Sequence, residues 1–111
     1  MHRVTLVMTE RINERLTVVD LAAEVQMSPH HFLRMFRRAV GETPHRHLIR
    51  LRVERAKQFL ESGRMVSETA AGCGFSSASH FSAVFLRETG VRPSRWPLSS
   101  AKSSELSGTR P

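Results

Sequence analysis

Apolar residues recur along this chain at the three- and four-residue spacing of amphipathic helices. The first run places Val4, Val7, Met8 and Ile12 on one side of a helix. Runs of similar spacing follow over 18–25, 29–40, 44–62, 66–72 and 78–89. Strand formers are scarce, the chain has no Tyr, and alternation of period two is nowhere sustained. The pattern therefore predicts an all-α fold.

The residues at the ends of these runs predict where each helix begins and ends. Thr17 and Asp20 approximate a capping box, with Asp where Glu or Gln is usual. Ser28 is a good N-cap, and Pro29 fits the first helical position, where a missing N–H costs nothing. Gly41 then predicts a left-handed C-terminal residue. The later boundaries fall at Thr43-Pro44, Gly63, Gly74-Phe75-Ser76, Gly90 and Pro93.

The chain carries one element twice, a short helix followed by a tight turn and a second helix. This is helix-turn-helix spacing. The two copies can be aligned. Asp20-Leu21-Ala22 matches Glu68-Thr69-Ala70, and Met27-Ser28 matches Phe75-Ser76. The second turn has one extra residue, after which Phe32, Phe36, Gly41 and Pro44 match Phe81, Phe85, Gly90 and Pro93 in this overlay. Phenylalanines four apart share a helix face, so each pair is expected to enter a core. The agreement in order and spacing predicts two lobes packed alike.

Charge is concentrated in the middle of the chain. The net charge is +7, and residues 34–57 hold eight of the Lys and Arg residues against two Glu. A basic region of this kind indicates a polyanionic partner, most often nucleic acid. The alternative is a solvated basic helix face.

Several function classes find no support in the sequence. No apolar run approaches the ~18 residues of a membrane span, and Cys73 is the only cysteine, which suits a reducing, cytoplasmic setting. His30 and His31 are adjacent, so on a helix they diverge, and His45 and His47 also fail as a ligand pair. We expect no metal, no cofactor and no enzymatic activity, because no nucleophile–base set or phosphate loop is visible.

Three segments together resemble a known family. They read LAxxxxMSxxxFxxxFxxxxGxxP from Leu21, RLRxxxAxxxL from Arg50 and ExAxxxGFxxxxxFxxxFxxxxGxxP from Glu68. This pattern resembles the DNA-binding domain of AraC/XylS-type transcriptional regulators over about residues 4–96. The resemblance implies about seven helices in two homeodomain-like helix-turn-helix subdomains joined by a long linker helix.

The resemblance also implies a division of the chain. We expect a first lobe over 4–43, a linker helix over 44–62 and a second lobe over 63–97. The polar, Ser-rich composition after Pro97, without periodicity, separately predicts a disordered tail over 98–111. A linker helix of about 18 residues spans roughly 27 Å. Two reading helices about one DNA turn, ~34 Å, apart are therefore plausible within one chain.

The helical wheel of 29–40 predicts which residues face DNA. The core side carries Phe32, Met35, Phe36 and Ala39. On the opposite side we expect base contacts from His30, Leu33 and Arg34, and phosphate contacts from Ser28, Arg37 and Arg38. Arg34 is suited to guanine, whose O6 and N7 accept from one guanidinium, and Leu33 to a thymine methyl group.

The second reading helix has nearly the same core side but a plainer outer side. Base contacts are expected from Ser79, Ser82 and Ala83, and phosphate contacts from Arg87, Arg92 and Arg95. Because this helix offers few polar groups for base edges, we expect it to specify little sequence, reading thymine methyl groups and DNA shape. Specificity is then expected mainly from His30 and Arg34.

Three further residues are interpreted as structural. Arg52 falls in the apolar stripe of the linker helix, so we expect a buried partner, with Asp20 and Glu68 as candidates. His47 stands where the family usually has an aromatic residue, and Cys73 is expected to be a small core residue.

The sequence as a whole predicts a sequence-specific DNA-binding transcription regulator. The expected partners are double-stranded DNA and RNA polymerase, with no membrane, and a small-molecule effector only if a sensor domain exists. The expected location is cytoplasmic and nucleoid-associated. Two alternatives stay open, a sequence-indifferent architectural DNA-binding protein and a C-terminal fragment of a larger effector-sensing regulator.

Overall fold

Helices account for most of the computed structural model, which describes residues 1–96. They are α1 His2–Glu10, α2 Val18–Glu24, α3 Pro29–Val40, α4 Pro44–Glu61, α5 Val66–Gly72 and α6 Ala78–Thr89, followed by the 3₁₀ helix Pro93–Arg95. No strand occurs among the described residues. The all-α prediction is confirmed. The predicted tail, 98–111, lies outside the described residues.

The chain divides into two compact units, and the division falls inside α4. The first unit comprises Met1–Arg52, and the second begins at Val53. Helix α4 therefore contributes its first half to one core and its second half to the other.

The first unit is built around two phenylalanine rings of α3. Phe32 and Phe36 are fully buried, and they are surrounded by apolar side chains from every helix of the unit: Val4, Met8, Ile12, Leu21, Ala22 and Leu48. Ala39, which the helical wheel placed on the core side, is exposed, whereas Val40 is partly buried. That prediction was wrong because the buried stripe of α3 turns toward Val40 in the last turn.

The second unit repeats this arrangement around α6. Phe81 and Phe85 are fully buried, and the core around them also holds the buried residues Val53, Ala56, Leu60, Ala70, Cys73, Phe75 and Val84. Cys73 is a core residue, as predicted. Thr69 is also buried, and its hydroxyl donates to the carbonyl oxygen of Met65 at 2.8 Å, so the polar group does not lack an acceptor.

The two units agree in their internal geometry. The ring centroids lie 5.6 Å apart for Phe32 and Phe36 and 5.5 Å apart for Phe81 and Phe85. Eleven residues after the second phenylalanine, an aromatic ring meets it edge-on. His47 lies 5.7 Å from Phe36, and Trp96 lies 5.4 Å from Phe85. The internal repeat predicted from the sequence is therefore a repeat of packing.

The first helix of each repeat is capped by a carboxylate in its first turn. In α2, Asp20 accepts from the Thr17 N–H while the Thr17 hydroxyl accepts from the Asp20 N–H, both at 3.1 Å. These bonds, the backbone one first, hold the pKa of Asp20 below its ordinary value. In α5, Glu68 accepts from the Met65 N–H at 3.1 Å. Asp20 and Glu68 are thus equivalent, as the overlay predicted.

Helices α3 and α6 also end alike. Gly41 after α3 has a φ of 92° and Gly90 after α6 a φ of 81°, both left-handed. A side chain with a Cβ is strained in this region, so the residue at each end is expected to be glycine. Each glycine is followed three residues later by a buried proline, Pro44 or Pro93.

Arg52 has the structural role that the sequence predicted. Its Nε donates to the Ile12 carbonyl oxygen at 3.0 Å and its guanidinium also to the Glu14 carbonyl oxygen at 2.8 Å. The carboxylates of Asp20 and Glu68, named as candidate partners, instead cap their own helices. Arg52 thus ties α4 to the segment that follows α1.

Replacing Arg52 by Ala is expected to lower the free energy of unfolding by about 2 kcal/mol. Two charge-assisted hydrogen bonds are lost, and the loop after α1 loses its donor. Chemical denaturation followed by circular dichroism measures the change. The matched control is Arg38→Ala, an exposed arginine of α3, which we expect to shift stability by less than about 0.5 kcal/mol. Equal effects of the two substitutions would contradict this role.

His47, the counterpart of Trp96 in the second unit, is held by hydrogen bonds within a polar cluster. The Glu42 carboxylate accepts from His47 Nδ1 at 2.8 Å and from Arg50 Nε at 3.1 Å. An ionised carboxylate only accepts, so Nδ1 carries the proton. Burial alone would raise the pKa of Glu42, but the hydrogen bonds from His47 and Arg50 outweigh it, and the pKa lies below its ordinary value of 4.5.

A carboxyl group whose pKa is lower in the folded than in the unfolded state stabilises the fold at pH values above its unfolded pKa. That contribution is expected to disappear as pH falls from about 4.5 through the lower folded pKa. Glu42→Gln should therefore cost on the order of 1 kcal/mol at pH 7 and progressively less as the solution becomes more acidic. Denaturation of both proteins across this range measures the difference, and a cost that is independent of pH would contradict the assignment.

Candidate nucleic-acid interface

The start of α3 is fixed by a side-chain cap. The Ser28 hydroxyl accepts from the His31 N–H at 3.2 Å, and Pro29 occupies the first helical position. With Phe32 and Phe36 buried, the period of the helix directs a second set of side chains outward. The predicted N-cap and the predicted beginning of α3 are both confirmed by the structure.

The outward side of α3 is basic. All of the residues predicted to contact bases or phosphates from this helix are exposed, namely Ser28, His30, Leu33, Arg34, Arg37 and Arg38. A surface hollow of about 450 Å³ is lined by His31, Arg34, Met35, Arg37 and Arg38. The structure therefore brings the first set of predicted residues together on one surface.

The arginines of this surface differ in their ionic environment from the arginines that pair with a carboxylate. Within residues 1–96, no ion pair involves Arg34, Arg37 or Arg38. By contrast, Arg11 lies 2.9 Å from Glu14, and Arg50 lies 3.1 Å from Glu42. Three adjacent guanidinium groups without a carboxylate form a surface on which an external anion is the natural counter-charge.

The start of α6 corrects the sequence overlay by one residue. The overlay matched Ser28 with Ser76, but the cap of α6 is Ser77, whose hydroxyl accepts from the His80 N–H at 3.0 Å. Ser76 Oγ instead lies 3.4 Å from His80 Nδ1. Ser77 is therefore the counterpart of Ser28 and an interface candidate that sequence reasoning missed. Counting back four residues from Phe81, as from Phe32 to Ser28, would have found it.

The outward side of α6 carries two serines, an alanine and a leucine and has no charged group among them. Ser79 and Ala83 are exposed, Ser82 is half-buried, and Leu86 is 41% exposed. A hollow of about 240 Å³ opens on this side, and its lining residues are Val66, Ser82, Ala83, Leu86, Arg92, Pro93 and Ser94. The structure thus gathers two of the predicted base-contacting residues with apolar neighbours that were not predicted.

The arginines of the second unit that are predicted to contact phosphates differ in whether a carboxylate compensates their charge. Arg92 and Arg95 are exposed and line a second hollow beside Gly90 and Val91. Arg87 is exposed, but its Nε lies 3.5 Å from the Glu88 carboxylate, so part of its charge is compensated.

Equivalent positions of the two helices carry different chemistry. Counting from the buried phenylalanines, Arg34 corresponds to Ala83 and Arg37 to Leu86. The third pair, Arg38 and Arg87, is arginine in both helices. At two of these three equivalent positions, the first unit therefore presents cationic hydrogen-bond donors and the second unit presents methyl groups.

The described residues offer neither a metal site nor a membrane span. Residues 1–96 contain no group of three His, Cys, Asp or Glu side chains that could hold a metal ion. None of the helices described there is both long enough and apolar enough to cross a bilayer.

The sequence matches a family profile described as a helix-turn-helix domain over residues 21–97. Among curated relatives, it is 40% identical over 78 residues to a helix-turn-helix transcriptional regulator of Mycobacterium tuberculosis, covering 69% of this chain and 30% of the relative. It is also 40% identical over 72 residues to the transcriptional activator RhaR of Cronobacter sakazakii, covering 64% of this chain and 25% of the relative. The chain thus spans about a third or less of these relatives.

Solved structures show the same fold. The DNA-binding domain of the global transcriptional factor AdpA, in complex with a target DNA, superposes with a TM-score of 0.84 at 32% identity, covering 92% of each chain. A transcriptional regulator from Chromobacterium violaceum, described as AraC-type, superposes with a TM-score of 0.82 at 27% identity, covering 91% of each chain.

The corrected cap gives a direct prediction. Ser77→Ala removes the acceptor for a free N–H of α6 and is expected to lower the free energy of unfolding by about 1 kcal/mol. Ser76→Ala is the matched control, and it should lower the free energy of unfolding by only a few tenths of the loss caused by Ser77→Ala. Fluorescence of Trp96, the only tryptophan, reports unfolding of this unit because its ring packs on Phe85. A larger loss with Ser76→Ala would restore the original overlay.

Proposed function

The chain belongs to the AraC/XylS family of transcriptional regulators, and we propose that it binds double-stranded DNA at a specific sequence and so regulates transcription. The observation that carries the proposal is the outward side of α3, where Arg34, Arg37 and Arg38 are exposed without an ion pair among residues 1–96. The superposition on a domain solved with its target DNA supports the same partner.

In this proposal α3 lies in the major groove and reads bases near its N-terminal half. Arg34 donates to guanine O6 and N7, His30 contacts a base one turn earlier, and Leu33 meets a thymine methyl group. Ser28, Arg37 and Arg38 hold phosphates, which fix the position of the helix on the duplex without carrying sequence information.

Helix α6 occupies a second, successive segment of the major groove. Ser79, Ser82 and Ala83 lie against base edges, while Arg87, Arg92 and Arg95, together with the newly identified Ser77, face phosphates. Because this side of α6 has few hydrogen-bonding groups, the first half of the target site carries more of the sequence specificity. Both reading helices belong to one chain, so an asymmetric site can be bound by a monomer.

The wider biology is proposed by analogy with the relatives. The name of the relative RhaR supports activation, and RNA polymerase is the proposed protein partner. The chain spans a minor part of the curated relatives, so a small-molecule effector is proposed only for a protein that also has a sensor domain. A regulator of this class acts on the chromosome, in the cytoplasm, and is not an enzyme.

The architectural alternative makes a different prediction about specificity. A protein that recognises only the phosphate backbone binds specific and random duplexes almost equally and with a steep dependence on salt. The proposed regulator instead binds its selected site at least about 1,000-fold more tightly than random DNA. Site selection from random duplexes, followed by titration at several salt concentrations, separates the two.

Two arginines one turn apart should give different losses of binding. Arg34→Ala is expected to weaken binding to the selected site about 5- to 150-fold and to relax the preference at one guanine position. Arg37→Ala should weaken specific and random binding equally and lower the salt slope by about one.

The matched control is Arg3→Ala on α1, a change of equal charge at a residue 72% exposed in its side chain. It should alter neither the preference nor the slope appreciably. A base-substitution scan that gave equal penalties in both halves of the site would refute the proposed asymmetry. Weaker binding of Arg34→Ala with an unchanged base preference would argue against Arg34 as a base reader.

A further inference from the structure

We propose that the outward side of α6 reads the 5-methyl groups of thymine, so that the second half of the target site is defined by A·T pairs. The recognising surface is the apolar part of the hollow beside α6, to which Val66, Ala83, Leu86 and Pro93 contribute. This inference rests on the proposed function, and it adds the chemical class of base that the second helix selects.

Four of the seven residues that line the hollow are apolar, and the other three are Ser82, Arg92 and Ser94. Ala83 and Leu86 lie one turn apart on α6, and Val66, at the start of α5, lines the same space of about 240 Å³ together with Pro93. Leu86 remains 41% exposed, although the buried side of the same helix already holds Phe81, Val84 and Phe85. Its exposure therefore gives an apolar surface beyond what the core of the second unit uses.

The position of this surface points to DNA as its occupant. Ala83 and Leu86 correspond to Arg34 and Arg37, the cationic residues of the α3 interface. The hollow is bordered by Arg92, and Arg95 lines the adjoining hollow beside Leu86. An apolar centre flanked by arginines is complementary to a base edge between two phosphate strands.

The chemistry of the major groove then selects the base. Thymine alone among the four bases presents a methyl group there, and small apolar side chains are suited to contact it. A cytosine amino group pressed against Leu86 would lose its water without gaining an acceptor, which is unfavourable. The apolar hollow thus favours T·A pairs both by contact with the methyl group and by exclusion of the polar alternative.

The test replaces thymine by uracil one position at a time within the selected site. Uracil keeps the base-pairing groups and lacks only the 5-methyl group. At thymines facing α6 we expect binding to weaken about fourfold per methyl group, the value of one buried methyl or methylene group. A 5-methylcytosine·guanine pair at the same position should restore only the part of the affinity that the methyl group supplies, about fourfold, because its amino group stays unfavourable.

A protein variant identifies the side chain responsible. In Leu86→Ala the penalty for uracil at the facing position should fall toward onefold, since the methyl group no longer has its partner. The matched control, Leu6→Ala on α1, changes a leucine of similar exposure, 46%, and should keep the full penalty. Any uracil penalty in the first half of the site should respond to Leu33→Ala and not to Leu86→Ala.

The outcomes distinguish this inference from the function it rests on. If no preferred duplex emerges from selection, the proposed function fails. If a preferred duplex emerges but uracil in its second half has no effect, the thymine inference is overturned while the regulator stands. If Leu86→Ala abolishes self-association of the chain in sedimentation without changing the uracil penalty, the hollow is a contact between copies and the inference is also overturned.

Discussion

The structure depends on a pair of phenylalanine rings set four residues apart on each reading helix. Phe32 with Phe36, and Phe81 with Phe85, are fully buried, and each pair fixes the rotation of its helix about its own axis. Once that rotation is fixed, the residues half a turn away must face outward. A serine four residues before the first ring and a left-handed glycine five residues after the second set the two ends. The orientation of the interface therefore follows from the packing of the core.

Much of this architecture was predictable because it is encoded locally. Helix starts at Thr17, Ser28 and Thr43-Pro44, and helix ends at Gly41 and Gly90, depend on hydrogen bonds or backbone angles within a few residues. The sequence-based predictions were wrong where contacts between residues far apart along the chain determine the structure. The acceptors of Arg52 lie about forty residues away along the chain, and the burial of Val40 in place of Ala39 depends on what packs against the last turn of α3. The cap at Ser77 was missed because an insertion in a turn can be placed at either of two adjacent serines.

The candidate interface was likewise predictable in part from the sequence. A helical wheel suffices to predict that His30, Leu33 and Arg34 are exposed, since the buried stripe determines the opposite side. It does not indicate which arginines have carboxylate neighbours, because an ion pair depends on where long side chains of other helices lie. Nor does it show that Val66 and Pro93 complete an apolar surface with Ala83 and Leu86, since these residues meet only in the folded second unit. The contrast between the two units is therefore encoded partly in the sequence repeat and partly in the folded second unit.

The separation of the buried ring pair from the outward residues has a consequence for evolvability. Positions such as those of Arg34 and Ala83 are exposed, and substitutions at exposed positions usually change stability by less than about 0.5 kcal/mol. A duplicated unit of this kind is thus free to exchange its outward chemistry by single substitutions while selection holds its rings, cap and glycine constant. Descendants of such a duplication can diverge in what they recognise long before they diverge in shape.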